Sequence, residues 1–283
     1  IKMAQRFVGT NNIPLLKDEG QFGSRLDGGK DASHGRYLYT EPENIFWKIF
    51  RTEDLPILNY ITEEGMQIEP ETFYPIIPNI LVNGATAIAT GFSTFIPNHN
   101  PLDIISWLML RLSGKTPDEI ACPTPWYQGF TGEIEVKVSN SRSEDEIRDE
   151  LFEDELENPE MQDFFDTNRS KYSMVMRGKY TTKYVGRSEN LVVEIVELPI
   201  GVWPHRYAKF LNLLREEKKI KDFSNKCAGD KVHFIVEGFG KAPALREIKL
   251  ERTYGISNMV VLDEKRNPII FQHAAHLLEI FYQ

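Results

Sequence analysis

The chain has few of the features that mark secreted or membrane proteins. Its 283 residues include only two cysteines, Cys122 and Cys227, which lie far apart and outside any CxxC spacing. This argues against a disulfide framework or a zinc site and favours a reducing, intracellular setting. No apolar run reaches the length of a membrane-spanning helix, and no signal-peptide pattern is present. We therefore expect no membrane partner.

A fixed-period repeat is also absent. The length of the chain and its 41% of hydrophobic residues are sufficient for a real core and predict two domains. Neither end has the pattern of a natural terminus, since the chain starts at Ile1 and finishes on an apolar helical pattern. We expect the sequence to be a piece of a longer chain.

The charge of the chain is unevenly distributed. The formal net charge is −9, which on its own disfavours binding to nucleic acid. Twelve acidic residues and one arginine lie in residues 144–166, so this stretch carries −11 and the remainder of the chain +2. The stretch predicts either a solvated amphipathic helix or a partly disordered insertion. The rest of the surface is compatible with local phosphate-binding patches.

One stretch combines features that suit chemistry on phosphate. The glycine-rich loop (residues 20–33) contains four glycines together with Arg25 and Lys30, and the chain then continues to Arg36 and Tyr37. Glycine permits close approach of a backbone to a ligand, cations neutralise phosphate, and a phenol can act as a nucleophile. An ordinary surface loop fits the same spacing. The loop alone therefore leaves both interpretations open.

Hydrophobic periodicity predicts an α+β chain. Helical patterns cover residues 42–50, with Thr40 as N-cap, and residues 104–112, preceded by an Asn100 cap and Pro101. The second half alternates as strands and contains one helical pattern over 205–215. The strand patterns cover residues 130–138, 173–178, 190–199, 232–236 and 258–263. The first half is thus predicted to be mainly helical and the second to be built on a sheet.

Several stretches, in order along the chain, resemble the DNA breakage-reunion region of the type IIA DNA topoisomerases, and most of all the eukaryotic type and its viral relatives. The matching stretches are MAQRFVGTNN, GQFGSRL, GGKDAS followed by RY, EPETFYPIIPNILVNG, IATGFS, IPN, ELP and SNMVVLD. The resemblance implies a mainly α winged-helix domain at residues 1–115 and a mixed α/β tower domain at residues 116–270, with the acidic insertion at about 140–170. Residues 271–283 would be the start of a coiled-coil arm.

The resemblance also implies the chemistry. Tyr37 would be the nucleophile that forms a 5′-phosphotyrosyl link, and Arg36 would stabilise the transition state. Ile88, fifty-one positions after Tyr37, would be the residue that intercalates and bends the cleaved duplex. A lone isoleucine among small residues is also a common core plug, but its register with Tyr37 favours the wedge. Tyr39 is a decoy, because the family motif places the reactive phenol directly after the arginine.

Other residues are expected to contact DNA. They are Asn11, Asn12 and Lys30 in the first half, and Trp203, Lys249, Arg252 and Asn258 in the second. Asn11 and Asn12 lie in a turn-rich segment whose small polar groups can bond phosphate or backbone. A packed indole is the alternative for Trp203, and a solvated side chain is the alternative for Lys249 and Arg252.

Cofactors and partners follow from the same resemblance. Mg²⁺ would be held by carboxylates of a separate domain and ATP by another, because no Glu…DxD cluster is visible in this sequence. The partners would be double-stranded DNA and a second copy of the chain. The setting would be the nucleus, or the site of viral DNA replication if the protein is viral.

Three functional hypotheses follow from these observations. The first is an ATP-dependent enzyme that cleaves both strands of a duplex through Tyr37, passes a second duplex and religates, and so relaxes and decatenates DNA. The second is a non-catalytic module that binds and bends DNA, since no metal site is visible. The third is a scaffold whose acidic stretch binds a basic partner, and it rests on charge alone.

Overall fold

The computed structural model describes residues 1–89, 92–138, 150–152, 172–186, 190–263 and 265–283. The acidic stretch at 144–166 falls outside these ranges except for residues 150–152. Those three residues pack into the protein: Leu151 and Phe152 are buried, and the buried Glu150 carboxylate accepts hydrogen bonds from the main-chain N–H and the hydroxyl of Thr253 at 2.9 and 3.2 Å. These three residues of the stretch are therefore part of the fold.

The first part of the chain alternates short helices and hairpins. Its α-helices are α1 (Phe46–Ile49), α2 (Asn79–Asn83) and α3 (Pro101–Leu112). Its antiparallel hairpins are formed by strands β1 (Tyr60–Glu63) and β2 (Met66–Pro70), and by strands β3 (Ala85–Ala89) and β4 (Phe92–Ile96). Short 3-10 turns at Lys2–Ala4, Gly35–Tyr37, Thr52–Ile57 and Pro117–Glu119 connect them.

The helix predictions for this part have different outcomes. Helix α3 starts as predicted, with Pro101 in its first turn and the Asn100 side chain accepting a hydrogen bond from Leu102 N at 2.9 Å. The helix predicted over residues 42–50 is shorter, and Thr40 does not cap it, because its hydroxyl donates to the Lys17 carbonyl at 2.7 Å instead. Side-chain bonding to a distant carbonyl thus displaces the predicted cap.

The second part is built on two antiparallel sheets. The three-stranded sheet has the order β11-β6-β5 and the four-stranded sheet the order β7-β8-β10-β9. The strands are β5 (Glu133–Val138), β6 (Tyr172–Arg177), β7 (Lys179–Val185), β8 (Asn190–Glu197), β9 (Asp222–Asn225), β10 (Phe234–Glu237) and β11 (Glu251–Gly255). Helix α4 (Pro204–Glu216) covers the larger sheet, and its buried Tyr207 and Leu211 join Val193 and Phe234 in the core. The predicted α+β class is confirmed.

The C-terminal part returns to the first half of the chain. A hairpin of β12 (Met259–Leu262) and β13 (Pro268–Phe271) precedes helix α5 (Ala274–Tyr282). Met259, Phe271 and Leu278 lie in one buried cluster with Ile104 and Trp107 of α3. Apolar packing thus joins residues from both sides of the domain limits predicted near 115 and 270, and those limits stay a prediction.

A buried histidine makes the stability of this fold depend on pH. His99 is 2% exposed, and burial lowers the pKa of its imidazole to about 4, with the carbonyls of Leu81 and Pro97 acting in the opposite direction. In the unfolded chain a histidine titrates near about 6.5. The unfolded state therefore binds the extra proton between these two values. We expect the free energy of unfolding to fall by about 3 kcal/mol from this group as the pH drops from 7 to 4.

Urea unfolding of the wild type and of a His99→Gln variant at several pH values measures this contribution. Glutamine has a side-chain donor for the Leu81 carbonyl, which lies 3.2 Å from the imidazole Nδ1, but no group that titrates. The stability difference between the two proteins should therefore shift by about 3 kcal/mol in favour of the variant over this range. A difference that is constant with pH would contradict the prediction.

Candidate nucleic-acid interface

The glycine-rich loop is a closed structure. The Asp31 carboxylate accepts hydrogen bonds from Ser24 N at 2.9 Å, Ser24 Oγ at 2.7 Å and Gln21 Nε2 at 3.1 Å. Partial burial acts to raise the pKa of Asp31, but these hydrogen bonds outweigh it and hold the pKa below its ordinary value. Ser33 N donates to the Gln21 carbonyl at 2.9 Å, which joins the two ends of the loop. The segment that follows therefore leaves from a fixed base.

That segment presents Arg36 and Tyr37 to solvent. They form a 3-10 turn in which Tyr37 N donates to the His34 carbonyl at 2.9 Å. The Tyr37 side chain is 67% exposed, and the Arg36 guanidinium carbon lies 5.2 Å from the centre of its ring. The structure thus brings the predicted nucleophile and its cation together on the surface. Tyr39 is 76% exposed, so exposure alone does not separate the two phenols.

Trp203 packs against the glycine-rich loop. A Cβ atom on Gly28 would lie 2.2 Å from the indole ring, and one on Gly9 would lie 3.1 Å from it. Phe7 meets the ring edge-on, with 6.0 Å between ring centres. The indole is half-buried, so the packing that was the alternative for this residue is what the structure shows, and one part of the ring stays accessible.

The hairpin β3–β4 carries Ile88. The main chain of Ile88 pairs with Ser93, close to the hairpin turn, while its side chain lies outside the described part of the structure. Asn258 holds this hairpin, because its carbonyl accepts from Phe95 N at 3.2 Å and its Nδ2 donates to Ser93 Oγ at 2.9 Å. Asn258 therefore supports the element that would insert into DNA.

A cavity of about 600 Å³ lies between this hairpin and the second part of the chain. Three of the residues predicted to contact DNA border it, namely Asn11, Trp203 and Asn258. The structure therefore brings these three together around one opening beside the Ile88 hairpin. Tyr37 and Lys30 are not among its lining residues.

Lys30 lies at a second cavity, of about 400 Å³, between the glycine-rich loop and the first turn of α4. The other lining residues are Asp27, Trp203, His205, Arg206 and Lys209. His205 Nδ1 lies 2.9 Å from the Asp27 carboxylate, which joins the helix to the loop. Sequence reasoning missed the three basic residues of α4, although their spacing of one and four places on a helix that follows Trp203 was a usable signal.

The remaining predicted contacts hold the protein together. Asn12 Nδ2 donates to the carbonyls of Val82, His99 and Trp126 at 2.9, 3.0 and 3.1 Å. Asn12 Oδ1 accepts from Gln128 N at 2.8 Å. This one amide therefore ties several distant segments of main chain together. Asn11 Nδ2 likewise donates to Lys2 O and Gln5 O at 2.6 and 2.8 Å.

Lys249 and Arg252 are directed into the protein. The Lys249 ammonium donates to the Leu151 carbonyl and lies 5.1 Å from the centre of the Phe152 ring. Arg252 is 6% exposed in strand β11, with its guanidinium carbon 5.3 Å from the centre of the Tyr254 ring. Because both cations are engaged within the protein, we do not include them among the proposed DNA contacts.

The described residues contain no group of three or more histidine, cysteine, aspartate or glutamate side chains that could hold a metal ion. They do not fit the Mg²⁺ site that the resemblance implies, in agreement with the prediction that another domain supplies it. In the part of the chain that the structure describes, every helix is too short or too polar to cross a membrane.

Comparison with known proteins agrees with the resemblance. A family model described as DNA gyrase/topoisomerase IV matches residues 1–283. The mitochondrial DNA topoisomerase 2 of Dictyostelium discoideum is 38% identical over 236 residues, a match that covers 83% of this chain and 15% of the relative. The DNA topoisomerase 2 of Invertebrate iridescent virus 6 is 36% identical over 270 residues, which are 94% of this chain and 20% of the relative.

A solved structure matches almost the whole chain. The crystal structure of the Plasmodium falciparum topoisomerase II DNA-binding, cleavage and re-ligation domain superposes with a TM-score of 0.76 at 32% identity. The match covers 99% of this chain and 34% of that one. This chain spans a fifth or less of the length of the two relatives above. It belongs to the DNA gyrase/topoisomerase IV family, that of the type IIA DNA topoisomerases.

Proposed function

We propose that this chain supplies the nucleophile and the bending surface with which a type II DNA topoisomerase cleaves and religates DNA. The observation that carries the proposal is the exposed Arg36–Tyr37 pair on a closed loop, in a chain whose family and solved relative are those of DNA cleavage and religation. The whole protein would cleave both strands, pass a second duplex and reseal the first, and so relax and decatenate DNA.

The chemistry of the cleavage step can be followed atom by atom. The Tyr37 oxygen attacks the scissile phosphorus, a P–O bond forms to the 5′ phosphate, the bond to the 3′ oxygen breaks, and that oxygen leaves as a hydroxyl after it takes up a proton. Phenols have pKa values near about 10, so nearby cations help by favouring the phenolate. Arg36 suits the extra negative charge on the five-coordinate phosphorus, because its planar fork donates two hydrogen bonds. Religation reverses these steps.

DNA would lie across the two cavities. The basic side chains at the second cavity, Lys30, Arg206 and Lys209, suit the phosphate backbone, which carries most of the affinity in such complexes. Ile88 would insert between base pairs from the turn of its hairpin, and Trp203 and Asn258 at the first cavity would hold the surfaces on either side. Localising a kink in this way lowers the cost of bending, which is about 1–6 kcal/mol for a duplex of this length scale.

Cofactors and assembly are part of the same proposal. Mg²⁺ would assist phosphoryl transfer and ATP would drive strand passage, and both would be bound by regions of the longer protein that correspond to those of its relatives outside the match. We propose that the protein acts as a homodimer, since two strands must be cleaved and this chain has one nucleophile. It would act in the nucleus or at a site of viral DNA replication.

The experiment that tests the function is capture of the covalent intermediate. The full-length protein is incubated with DNA and Mg²⁺ and trapped with detergent, and the linked peptide is mapped by mass spectrometry. We expect a 5′-linked nucleotide on Tyr37 and none on Tyr39. The non-catalytic alternative, a DNA-bending module, expects DNA binding with no linked peptide at any Mg²⁺ concentration.

A further inference from the structure

A buried ion pair connects the glycine-rich loop to the second part of the chain. The side chains of Arg25 and Glu197 are only 5% and 3% exposed, and Arg25 Nη2 donates to Glu197 Oε1 across 172 positions of sequence. Arg25 Nη1 donates to the Asp230 carbonyl at 2.6 Å. The Glu197 carboxylate also accepts from the Thr131 N–H and hydroxyl, at 3.2 and 3.0 Å, and from Leu198 N at 2.9 Å. Both charged groups are therefore held by several hydrogen bonds at once.

The carboxylate end of the pair is fixed. Glu197 is the last residue of β8, the strand that lies between β7 and β10 in the larger sheet. Its backbone is also closely packed, since a Cβ atom on Gly178 would lie 2.4 Å from the Glu197 carbonyl oxygen. A strand that is hydrogen-bonded on both sides is a rigid support for a functional group.

The arginine end lies on the element that carries the nucleophile. Arg25 directly follows Ser24, whose main chain and hydroxyl are both bound by Asp31. Ser33, two positions after Asp31, is bonded to Gln21 near the start of the loop. Tyr37 follows after four more positions. A shift of Arg25 therefore displaces the base from which Tyr37 projects.

We propose that the Arg25–Glu197 ion pair is a positioning contact for the cleavage reaction, which sets the place of the glycine-rich loop, and with it Tyr37, relative to the second part of the chain. The inference rests on the proposed function and adds to it a residue pair that touches no DNA. A planar guanidinium fork that bonds a carboxylate and a carbonyl at once fixes an orientation as well as a distance. Reaction rates are sensitive to such positions, since a displacement of about 1 Å costs on the order of 100-fold.

The test separates position from stability. Arg25→Met alone leaves a buried carboxylate without its cation and is expected to destabilise the protein. Combining it with Glu197→Gln removes both charges while an amide oxygen remains for Thr131, so the double variant should melt closer to the wild type than the single variant does. We expect the double variant to keep its DNA dissociation constant within about twofold and to form covalent adducts, at saturating DNA, roughly ten- to 100-fold more slowly.

Arg25→Lys provides a second measurement that does not depend on the folding of the double variant. Lysine keeps the buried positive charge, but it lacks the fork that reaches both Glu197 and Asp230. We expect a smaller loss of cleavage rate, again at unchanged DNA affinity. Wild-type cleavage rates in the variants that fold would overturn the proposal, and so would a loss that merely follows melting temperature or DNA affinity.

The chain offers a matched control. Arg111 and Glu279 form a two-bond ion pair at 2.7 and 2.7 Å, with side chains 14% and 20% exposed, across 168 positions. This pair joins α3 to α5 and does not touch the glycine-rich loop. Arg111→Met combined with Glu279→Gln should leave the cleavage rate unchanged. An equal loss in this control would show that any missing ion pair slows cleavage, and would overturn the specific role of Arg25.

The full-length wild type tells the two proposals apart. If it forms no adduct on Tyr37, the proposed function fails before the variants are compared. If it forms the adduct and the folded variants of Arg25 form it equally fast, the function stands and the positioning role alone is wrong.

Discussion

Replacing Tyr37 by phenylalanine in the full-length protein is expected to abolish covalent DNA adducts while DNA affinity stays within about twofold. The side chain is largely exposed and no hydrogen bond of its hydroxyl supports the described part of the fold, so the change removes the attacking oxygen and little else. Loss of the nucleophile in enzymes that work through a covalent intermediate costs on the order of 10⁴-fold or more. Detergent trapping on labelled DNA, with a parallel binding titration, measures both quantities.

Tyr39→Phe is the matched control for this prediction. Tyr39 is two positions further along the chain and is even more exposed, so the substitution removes the same atom from the same surface region. We expect wild-type adduct formation in this variant. Adducts that persist in Tyr37→Phe and disappear in Tyr39→Phe would reassign the nucleophile, and adducts that persist in both would contradict the proposed chemistry of this loop.

The candidate site was predictable where its parts are close in sequence. Arg36 and Tyr37 are neighbours at the end of a glycine-rich segment, and the structure places them together on an exposed turn, as the sequence indicates. Contacts between distant residues were not predictable in this way. Nothing in a single sequence pairs Arg25 with Glu197 or brings the first turn of α4 to Lys30, because such contacts depend on how the sheets and loops fold back on each other.

Polarity was the weaker guide in the second half. The stretch from Lys249 to Asn258 is polar, and it was therefore expected at a DNA surface. In the structure its centre is strand β11, where Arg252 pairs with Met176 in an interior position of the sheet and Thr253 binds the buried Glu150. A polar residue that finds a partner inside the protein is as stable there as at the surface. The alternating apolar strands, in contrast, were predicted correctly, because burial of one face fixes their period.

The glycines of the loop have a different role from the one that their chemistry first indicates. Close approach to phosphate is one use of glycine, and it was the basis of the prediction. The structure shows a second use, since two of these positions are crowded by the protein itself: Gly28 faces the Trp203 indole, and Gly23 faces the backbone of Gly29. The glycines therefore let the loop fold tightly against its neighbours, which holds Arg36 and Tyr37 at a defined place.

Gly28→Ala should consequently destabilise the protein by about 3 kcal/mol. Gly28 has φ +63°, a conformation that costs other residues roughly 1–2 kcal/mol, and the new methyl group would lie 2.2 Å from the Trp203 ring. The ring has little room to move, because it also packs on Gly9 and Phe7, and overpacking of this kind typically costs about 1–3 kcal/mol. Denaturant unfolding measures the change. Gly240→Ala is the control, since Gly240 has no heavy atom within 4 Å of its added Cβ and should be nearly neutral. Equal stability of the two variants would mean that the indole is not seated on the loop, and the packing that positions Arg36 and Tyr37 would have to come from the Arg25 ion pair alone.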